Sequence, residues 1–107
     1  MARRYHVYVI ELDPEAGQIA RFRRANPDMA SGAECFYVGS SVREPVLRFD
    51  QHKEGYKSNR FAREYGMRLR PDLFEQYNPI PTRKDAEELE VYLAERLRAR
   101  GYGVWQG

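Results

Sequence analysis

The longest regular pattern of apolar and polar residues in the chain lies in segment 82–100. Its apolar residues recur every three or four positions, the spacing of one helix face: Ala86, Leu89, Leu93 and Leu97. Thr82 is placed to cap the start of this helix, with Asp85 three residues later as a capping-box acid, and Gly101 is placed to end it. The pattern therefore predicts one long amphipathic helix that packs its apolar face against a core.

Glu90 interrupts the apolar face of that helix, four residues after Ala86 and three before Leu93. The other acids of the helix fall off this face. An unpaired carboxylate costs several kcal/mol to bury, so Glu90 should have a cation beside it. Either a buried salt bridge or a bound metal ion meets this requirement, and the helix pattern alone does not distinguish them.

Three segments are predicted to form strands, and the first of them is rich in aromatic and β-branched residues. Residues 5–12 alternate with period two, residues 35–39 form a second short strand, and residues 67–77 contain a third. Pro71 restricts the third to a sheet edge or an irregular stretch. Residues 13–34 separate the first two strands as a long excursion.

Shorter helices are predicted between these strands. One lies at about residues 18–24, a second has Pro45 in its first turn and runs to about Lys53, and a third covers residues 59–65. Trp105 is expected to anchor the tail on the core. Together these elements indicate an α+β fold: a small three-stranded mixed or antiparallel sheet flanked by helices.

Length and composition describe an ordinary soluble globular protein, with 42% hydrophobic residues, 32% charged residues and a net charge of +2. We expect residues 1–107 to form a single domain, since this length supports one core. The one cysteine, Cys35, excludes an internal disulfide and favours a reducing compartment. The apolar run 7–12 is too short and too soon interrupted for a signal peptide or membrane span. The expectation is a cytoplasmic protein without a membrane partner.

Two pairs of residues could carry chemistry. Arg48 and His52 are spaced i and i+4, so they project from the same face of the predicted second helix. Tyr8 and Tyr37 lie on two strands that can pair. Taken alone, the first pair is explained by a solvated helix surface and the second by cross-strand packing.

Four short motifs nevertheless occur in order along the chain. They are His6-Val7-Tyr8, Tyr37-Val38-Gly39, Arg48 with His52, and Glu90 in the pattern Ala-x-x-x-Glu-x-x-Leu. This ordered set resembles the GIY-YIG nuclease domain, over nearly the whole chain from Tyr5 to about Leu97. The likeness is to stand-alone, single-domain members of that superfamily.

The chain departs from the family pattern at three places. His6 occupies the position of a glycine in the first triplet. Residues 13–34 exceed the usual short hairpin loop and are expected to be an insertion. Ser40 stands where repair nucleases of the family often have a lysine, so a contact to the phosphate would be weaker here.

The resemblance implies a catalytic set of Tyr8, Tyr37, Arg48, His52 and Glu90. Glu90 would hold one Mg²⁺ or Mn²⁺ ion, with waters and substrate oxygens completing the shell. Arg48 would bind the phosphate. Tyr8 or Tyr37 would orient or deprotonate the attacking water, and His52 would relay a proton or contact the leaving group.

Segment 53–70 adds six basic residues against two acidic ones. This excess favours a track for a nucleic-acid backbone, formed with Ser40 by Lys53, Lys57, Arg60 and Arg63. Tyr56 and Phe61 are available there to pack or to stack on bases. The alternative is a solvated face whose arginines pair with nearby acids.

The favoured hypothesis is a metal-dependent endonuclease that hydrolyses phosphodiester bonds in DNA with one metal ion, and RNA stays open as a substrate. A nucleic-acid-binding module of the same fold, with weak or no catalysis, is the alternative. A third hypothesis is an interaction protein that does not bind nucleic acid. Affinity that falls steeply with salt would separate the first two hypotheses from the third.

Overall fold

The computed structural model describes residues 4–107, and its centre is a mixed sheet. The strands of this part are β1 (His6–Leu12), β2 (Cys35–Ser41), β3 (Gly66–Leu69) and β4 (Gly103–Gln106). Their order across the sheet is β3-β1-β2-β4. β1 is antiparallel to β2 and β3, whereas β4 is parallel to β2. The predicted α+β class with a mixed sheet is confirmed.

The expectation of three strands is wrong by one, because the tail forms β4. Four residues without alternation carry no strand pattern of their own, so β4 is defined by its pairing with β2. The third strand is shorter than expected and ends at Leu69. Pro71, which has no N–H to donate to a ladder, begins a 3₁₀ turn instead.

The helices of the described residues flank this sheet. They are α1 (Ala20–Ala25), α2 (Pro45–Glu54), α3 (Arg60–Tyr65) and α4 (Arg83–Ala99), with 3₁₀ turns at Pro14–Gln18, Pro71–Leu73 and Glu75–Tyr77. α1 begins two residues later than the sequence suggests, since the first 3₁₀ turn precedes it. Across residues 4–107 no helix combines the length and the apolar character that a membrane span requires.

α4 is the amphipathic helix that the sequence predicts. The Thr82 side chain caps it by accepting a hydrogen bond from the Asp85 backbone N–H at 3.0 Å. Its buried face packs on β1, β2 and β4 and consists of Ala86, Glu90, Leu93, Ala94 and Leu97. Each buried leucine contributes about 1.5–3 kcal/mol. This packing fixes α4 across the sheet and carries Glu90 with it.

The excursion between β1 and β2 is anchored to the far edge of the sheet by one buried amide. Asn26 Nδ2 donates to the carbonyls of Phe22 and Val104, and Asn26 Oδ1 accepts from the Val104 N–H and from Arg98 Nε. Trp105 packs against Phe22, as the expected core anchor. The excursion is therefore part of the core that holds β4.

Candidate active site

Tyr8 on β1 lies directly opposite Gly39 on β2. Its ring covers the Gly39 backbone so closely that a Cβ at position 39 would lie 2.6 Å from Tyr8 Oη. A side chain at this position would have to displace the ring. The glycine of the Tyr37-Val38-Gly39 triplet therefore makes room for the tyrosine of the neighbouring strand.

His52 on α2 is fixed by two hydrogen bonds. Its Nδ1 accepts the backbone N–H of Asn59 at 3.2 Å, so Nδ1 carries no proton. In the neutral ring the proton is then on Nε2, which lies 2.9 Å from Tyr8 Oη and donates to it. Burial, reinforced by the positive charge of Arg48, lowers the pKa of His52 from 6.5 to about 4. The ring is neutral at pH 7 and held in one tautomer.

Tyr8, Tyr37 and His52 form a buried aromatic cluster. The ring centroids are 6.1 Å apart for the two tyrosines, 6.0 Å for Tyr8 and His52, and 5.2 Å for Tyr37 and His52. The exposed fractions of the three residues are 1%, 5% and 1% in the order Tyr8, Tyr37 and His52. Burial raises the pKa of both phenols, and the charge of Arg48 acts in the opposite direction. Both tyrosines are therefore protonated at neutral pH.

The Arg48 guanidinium is held beside this cluster by the loop between α2 and α3. Its Nη2 donates to the Lys57 carbonyl at 2.7 Å. Its Nη1 donates to the Tyr56 carbonyl at 3.1 Å and more weakly to Gln51 Oε1 at 3.4 Å. Carbonyl dipoles thus fix the plane of the fork, while no carboxylate within residues 4–107 neutralises its charge.

Glu90 is 7% exposed, as its place on the buried face of α4 predicts. Ser40 Oγ donates to one carboxylate oxygen at 2.8 Å, and Gln106 Nε2 donates to the other at 2.9 Å. Burial raises the pKa of Glu90, and these two hydrogen bonds oppose the shift. None of the ion pairs within residues 4–107 includes Glu90, so a salt bridge is not its partner there.

Glu90 lines a surface cleft of about 610 Å³ beside the ends of β2 and β4. Ser40 and Gln106 also line this cleft, and so does Gly107, against which the Tyr37 hydroxyl lies. Besides burial, the negative charge of Glu90 helps to raise the pKa of Tyr37. The aromatic cluster and the cleft are therefore parts of one site.

A family model described as the GIY-YIG catalytic domain matches residues 29–103, which is more than half of the chain. The chain belongs to the GIY-YIG family. The matched range of this GIY-YIG domain contains Tyr37, Arg48, His52 and Glu90, whereas Tyr8 lies before it. Comparisons with curated proteins and with solved structures gave no match.

A divalent ion at Glu90 is implied by the family resemblance, and the donors around this carboxylate are suited to one. They are the carboxylate oxygens of Glu90 and the hydroxyl oxygen of Ser40, the ligand type that Mg²⁺ prefers. Each carboxylate oxygen accepts one of these hydrogen bonds and keeps a second lone pair. In the described part of the chain no three His, Cys, Asp or Glu side chains are grouped to share an ion. The residues therefore fit an ion that keeps most of its waters.

Most basic side chains of segment 53–70 form ion pairs or hydrogen bonds with other groups of the protein. Its ion pairs join Arg60 to Glu64, Arg68 to Glu11, and Arg70 to Glu11, Glu34 and Asp72. Lys53 Nζ donates to the carbonyls of Arg63 and Gly66, and Arg63 donates to Ser58. This pattern favours the alternative of a solvated face with paired arginines, and the nucleic-acid track through Ser40, Lys53, Lys57, Arg60 and Arg63 stays a prediction.

Tyr56 and Phe61, the two aromatic residues of this segment that were expected to pack or stack, differ in exposure. Tyr56 is exposed, with the Lys57 ammonium 5.7 Å from its ring centroid. Phe61 is fully buried and packs on Trp105, with ring centroids 4.7 Å apart. The expectation that Phe61 can stack on bases is wrong, because the amphipathic turn of α3 directs it into the core.

Two residues of this site were missed by sequence reasoning. Gln106 holds Glu90, but it lies on β4, which has no strand pattern of its own. Asn59 fixes the His52 tautomer through its backbone N–H, an atom that every residue except proline carries. Its helix-capping side chain predicted only the start of α3. No sequence signal points to either contact.

Proposed function

We propose that this GIY-YIG protein is a metal-dependent endonuclease that hydrolyses phosphodiester bonds in DNA with one metal ion. The observation that carries the proposal is the convergence of the Tyr8–His52 pair, the Arg48 guanidinium and the Glu90 carboxylate in one site. Phosphodiester hydrolysis requires a positioned water, neutralised phosphoryl oxygens and a stabilised leaving oxygen. These groups are of the chemical types that meet the three requirements.

Tyr8 is proposed to position and deprotonate the attacking water. Because His52 Nε2–H donates to Tyr8 Oη, the proton of the Tyr8 hydroxyl is directed away from His52. The raised pKa keeps Tyr8 neutral in the free protein, so Tyr8 must first release its own proton to solvent, and added positive charge near it is required for that, before the phenolate can accept a proton from the water. The His52 N–H would then stabilise that phenolate. Tyr37, which lacks this donor, is assigned to packing and orientation.

Arg48 is proposed to bind the phosphate with those of its N–H groups that form no hydrogen bond within the protein. A guanidinium carries five N–H donors, and three of them are used by Gln51, Tyr56 and Lys57. The remaining donors present a fixed positive charge to a phosphoryl oxygen. Glu90, oriented by Ser40 and Gln106, would hold the Mg²⁺ or Mn²⁺ ion. When bound, that ion would supply positive charge to the leaving oxygen.

A nucleic-acid-binding module with weak or no catalysis is the second candidate. Ser40 stands where repair nucleases of the family often have a lysine, so this cation is missing beside the phosphate. Ser40 instead donates a hydrogen bond to the Glu90 carboxylate. A protein of this kind would keep salt-sensitive binding and lose cleavage.

The test is cleavage of labelled duplex, single-stranded and branched DNA, with matching RNA, in Mg²⁺, in Mn²⁺ and in EDTA. Glu90→Ala should lower the rate by roughly 100-fold or more while DNA affinity in EDTA stays near that of wild type. Glu95→Gln removes an exposed acid of the same helix and serves as the matched control.

Three outcomes separate the candidates. Metal-dependent cleavage that Glu90→Ala abolishes and Glu95→Gln preserves supports the nuclease. Binding without cleavage under every condition assigns the binding module. Cleavage by Glu90→Ala at the wild-type rate contradicts the proposed mechanism.

A further inference from the structure

Arg83 and Glu90 lie on the same side of α4. They are seven residues apart, which is two helical turns and about 10 Å along the axis. Both side chains line the 610 Å³ cleft, Glu90 at its buried end. One cleft therefore has a carboxylate and a guanidinium at separate points along a single helix.

Arg83 is held in place without being neutralised. Its guanidinium lies 5.5 Å from the centroid of the Tyr5 ring. Tyr5 is itself fixed, because its backbone N–H and carbonyl each form a 2.8 Å hydrogen bond with Ile80. No ion pair formed within the described residues includes Arg83, although the exposed Glu87 lines the same cleft. A cation at the start of a helix opposes the helix dipole, so helix stability does not account for this residue.

We propose that Arg83, supported by Tyr5, binds a backbone phosphate of the strand that occupies this cleft, within about three nucleotides of the scissile phosphate. The site rests on the proposed function, since the cleft is taken to receive a nucleic-acid strand. One strand of B-DNA rises about 3.4 Å per nucleotide along the duplex axis, so 10 Å along α4 spans at most about three nucleotides when the two axes are parallel.

This subsite extends the substrate strand along α4, beyond the phosphate that Arg48 is proposed to bind. The arginines at positions 60, 68 and 70 are already neutralised by acids, whereas Arg83 is not. Val42 and Val91 line the cleft and are partly exposed, which provides apolar walls for the sugar faces of a strand. The cleft thus presents a cation, apolar walls and a carboxylate to a strand that carries phosphates and sugars.

The test measures DNA binding in EDTA, without catalysis, for wild type, Arg83→Ala and Arg96→Ala. Arg96→Ala removes the same charge from the same helix, but Arg96 donates to Tyr92 and lines a different cavity. Arg83→Ala should weaken affinity roughly three- to tenfold and reduce the slope of log K against log salt by about one. Arg96→Ala should leave the slope unchanged. Equal effects of the two variants would overturn the proposal.

Single neutral methylphosphonate linkages locate the phosphate. One linkage within three nucleotides of the scissile phosphate should weaken wild-type binding and have no further effect on Arg83→Ala. Fully additive losses at every position would overturn the assignment. The cleavage products identify the scissile phosphate. When nothing is cut, it is the position at which a methylphosphonate has no further effect on Arg48→Ala. If a methylphosphonate effect depends on Arg83 but no DNA is cut, the proposed nuclease activity is rejected and the phosphate subsite is retained. If the wild type binds no DNA, both proposals are rejected.

Discussion

At the scale of single residues, burial sets the protonation of the groups that carry the chemistry. It lowers the pKa of His52 and raises that of Tyr8 and Glu90. His52 is thereby kept neutral as a donor to Tyr8, and the phenol is kept protonated. The resting site holds its proton on Tyr8 until positive charge is added beside it.

Stability should depend on pH through His52. Its folded pKa of about 4 lies below the unfolded value of 6.5, so between these values the unfolded chain binds the extra proton. Stability from this residue is present above pH 6.5 and is lost as the pH falls towards 4, by about 2–3 kcal/mol. Urea unfolding at a series of pH values should show this loss in wild type, relative to His52→Gln. Parallel pH profiles would contradict the assignment.

Gly39→Ala should damage the site more than the fold. The new Cβ would lie 2.6 Å from Tyr8 Oη and 2.7 Å from Cζ, so the ring must move away from His52. Such overpacking costs about 1–3 kcal/mol. We expect the initial rate of cleavage to fall although urea unfolding shows that most molecules stay folded, with Glu95→Gln as control. An active, fully stable variant would show that the ring is not fixed.

At the scale of elements, three of them converge on one carboxylate. α4 carries Glu90, β2 contributes Ser40 and β4 contributes Gln106. The parallel pairing of β4 with β2 brings the two donors to the same end of these neighbouring strands. The orientation of Glu90 therefore depends on two strand ends rather than on the helix alone.

Gln106→Ala should weaken metal binding without unfolding the protein. It removes the donor to one Glu90 oxygen, and loss of such an orienting group typically lowers metal affinity about 10- to 100-fold. Mn²⁺ binding followed by electron paramagnetic resonance should show the loss, and so should the Mn²⁺ dependence of cleavage. Gln76→Ala, at an exposed position, is the control. Unchanged Mn²⁺ affinity would mean that Ser40 alone orients the carboxylate.

At the scale of the whole molecule, the excursion between β1 and β2 supports the site through the edge strand β4. Asn26 joins this excursion to β4 through Val104 and to α4 through Arg98. β4 in turn carries Gln106. This excursion is longer than the usual short hairpin loop of the family. It nevertheless helps to hold the strand that contacts Glu90.

Asn26→Ala should destabilise the fold strongly. It leaves the buried N–H of Val104 without a partner, which costs about 1–3 kcal/mol, while the Val104 carbonyl keeps its hydrogen bond from Arg98. Urea unfolding should report the loss, with Gln18→Ala as an exposed control in the same excursion. A change below about 1 kcal/mol would show that other groups replace the amide.

Local sequence determined the elements that carry the main candidate residues. Period-two alternation identified β1 with Tyr8, the short segment 35–39 was predicted as the strand with Tyr37, and a helical repeat identified α4 with Glu90 on its buried face. These signals are reliable because periodicity records which side of an element faces the core. The ordered set of motifs then indicated the GIY-YIG family.

Only the tertiary structure decided how those residues are partnered. Gln106 reaches Glu90 across 16 residues, Ser40 reaches it across 50, and Tyr8 meets His52 across 44. Arg70 likewise finds its acids at Glu11 and Glu34, far from the segment whose charge suggested a track. A local pattern states which face of an element is buried, but it contains no record of which distant group lies opposite. That pairing depends on strand order and helix packing, which the chain acquires only when it folds.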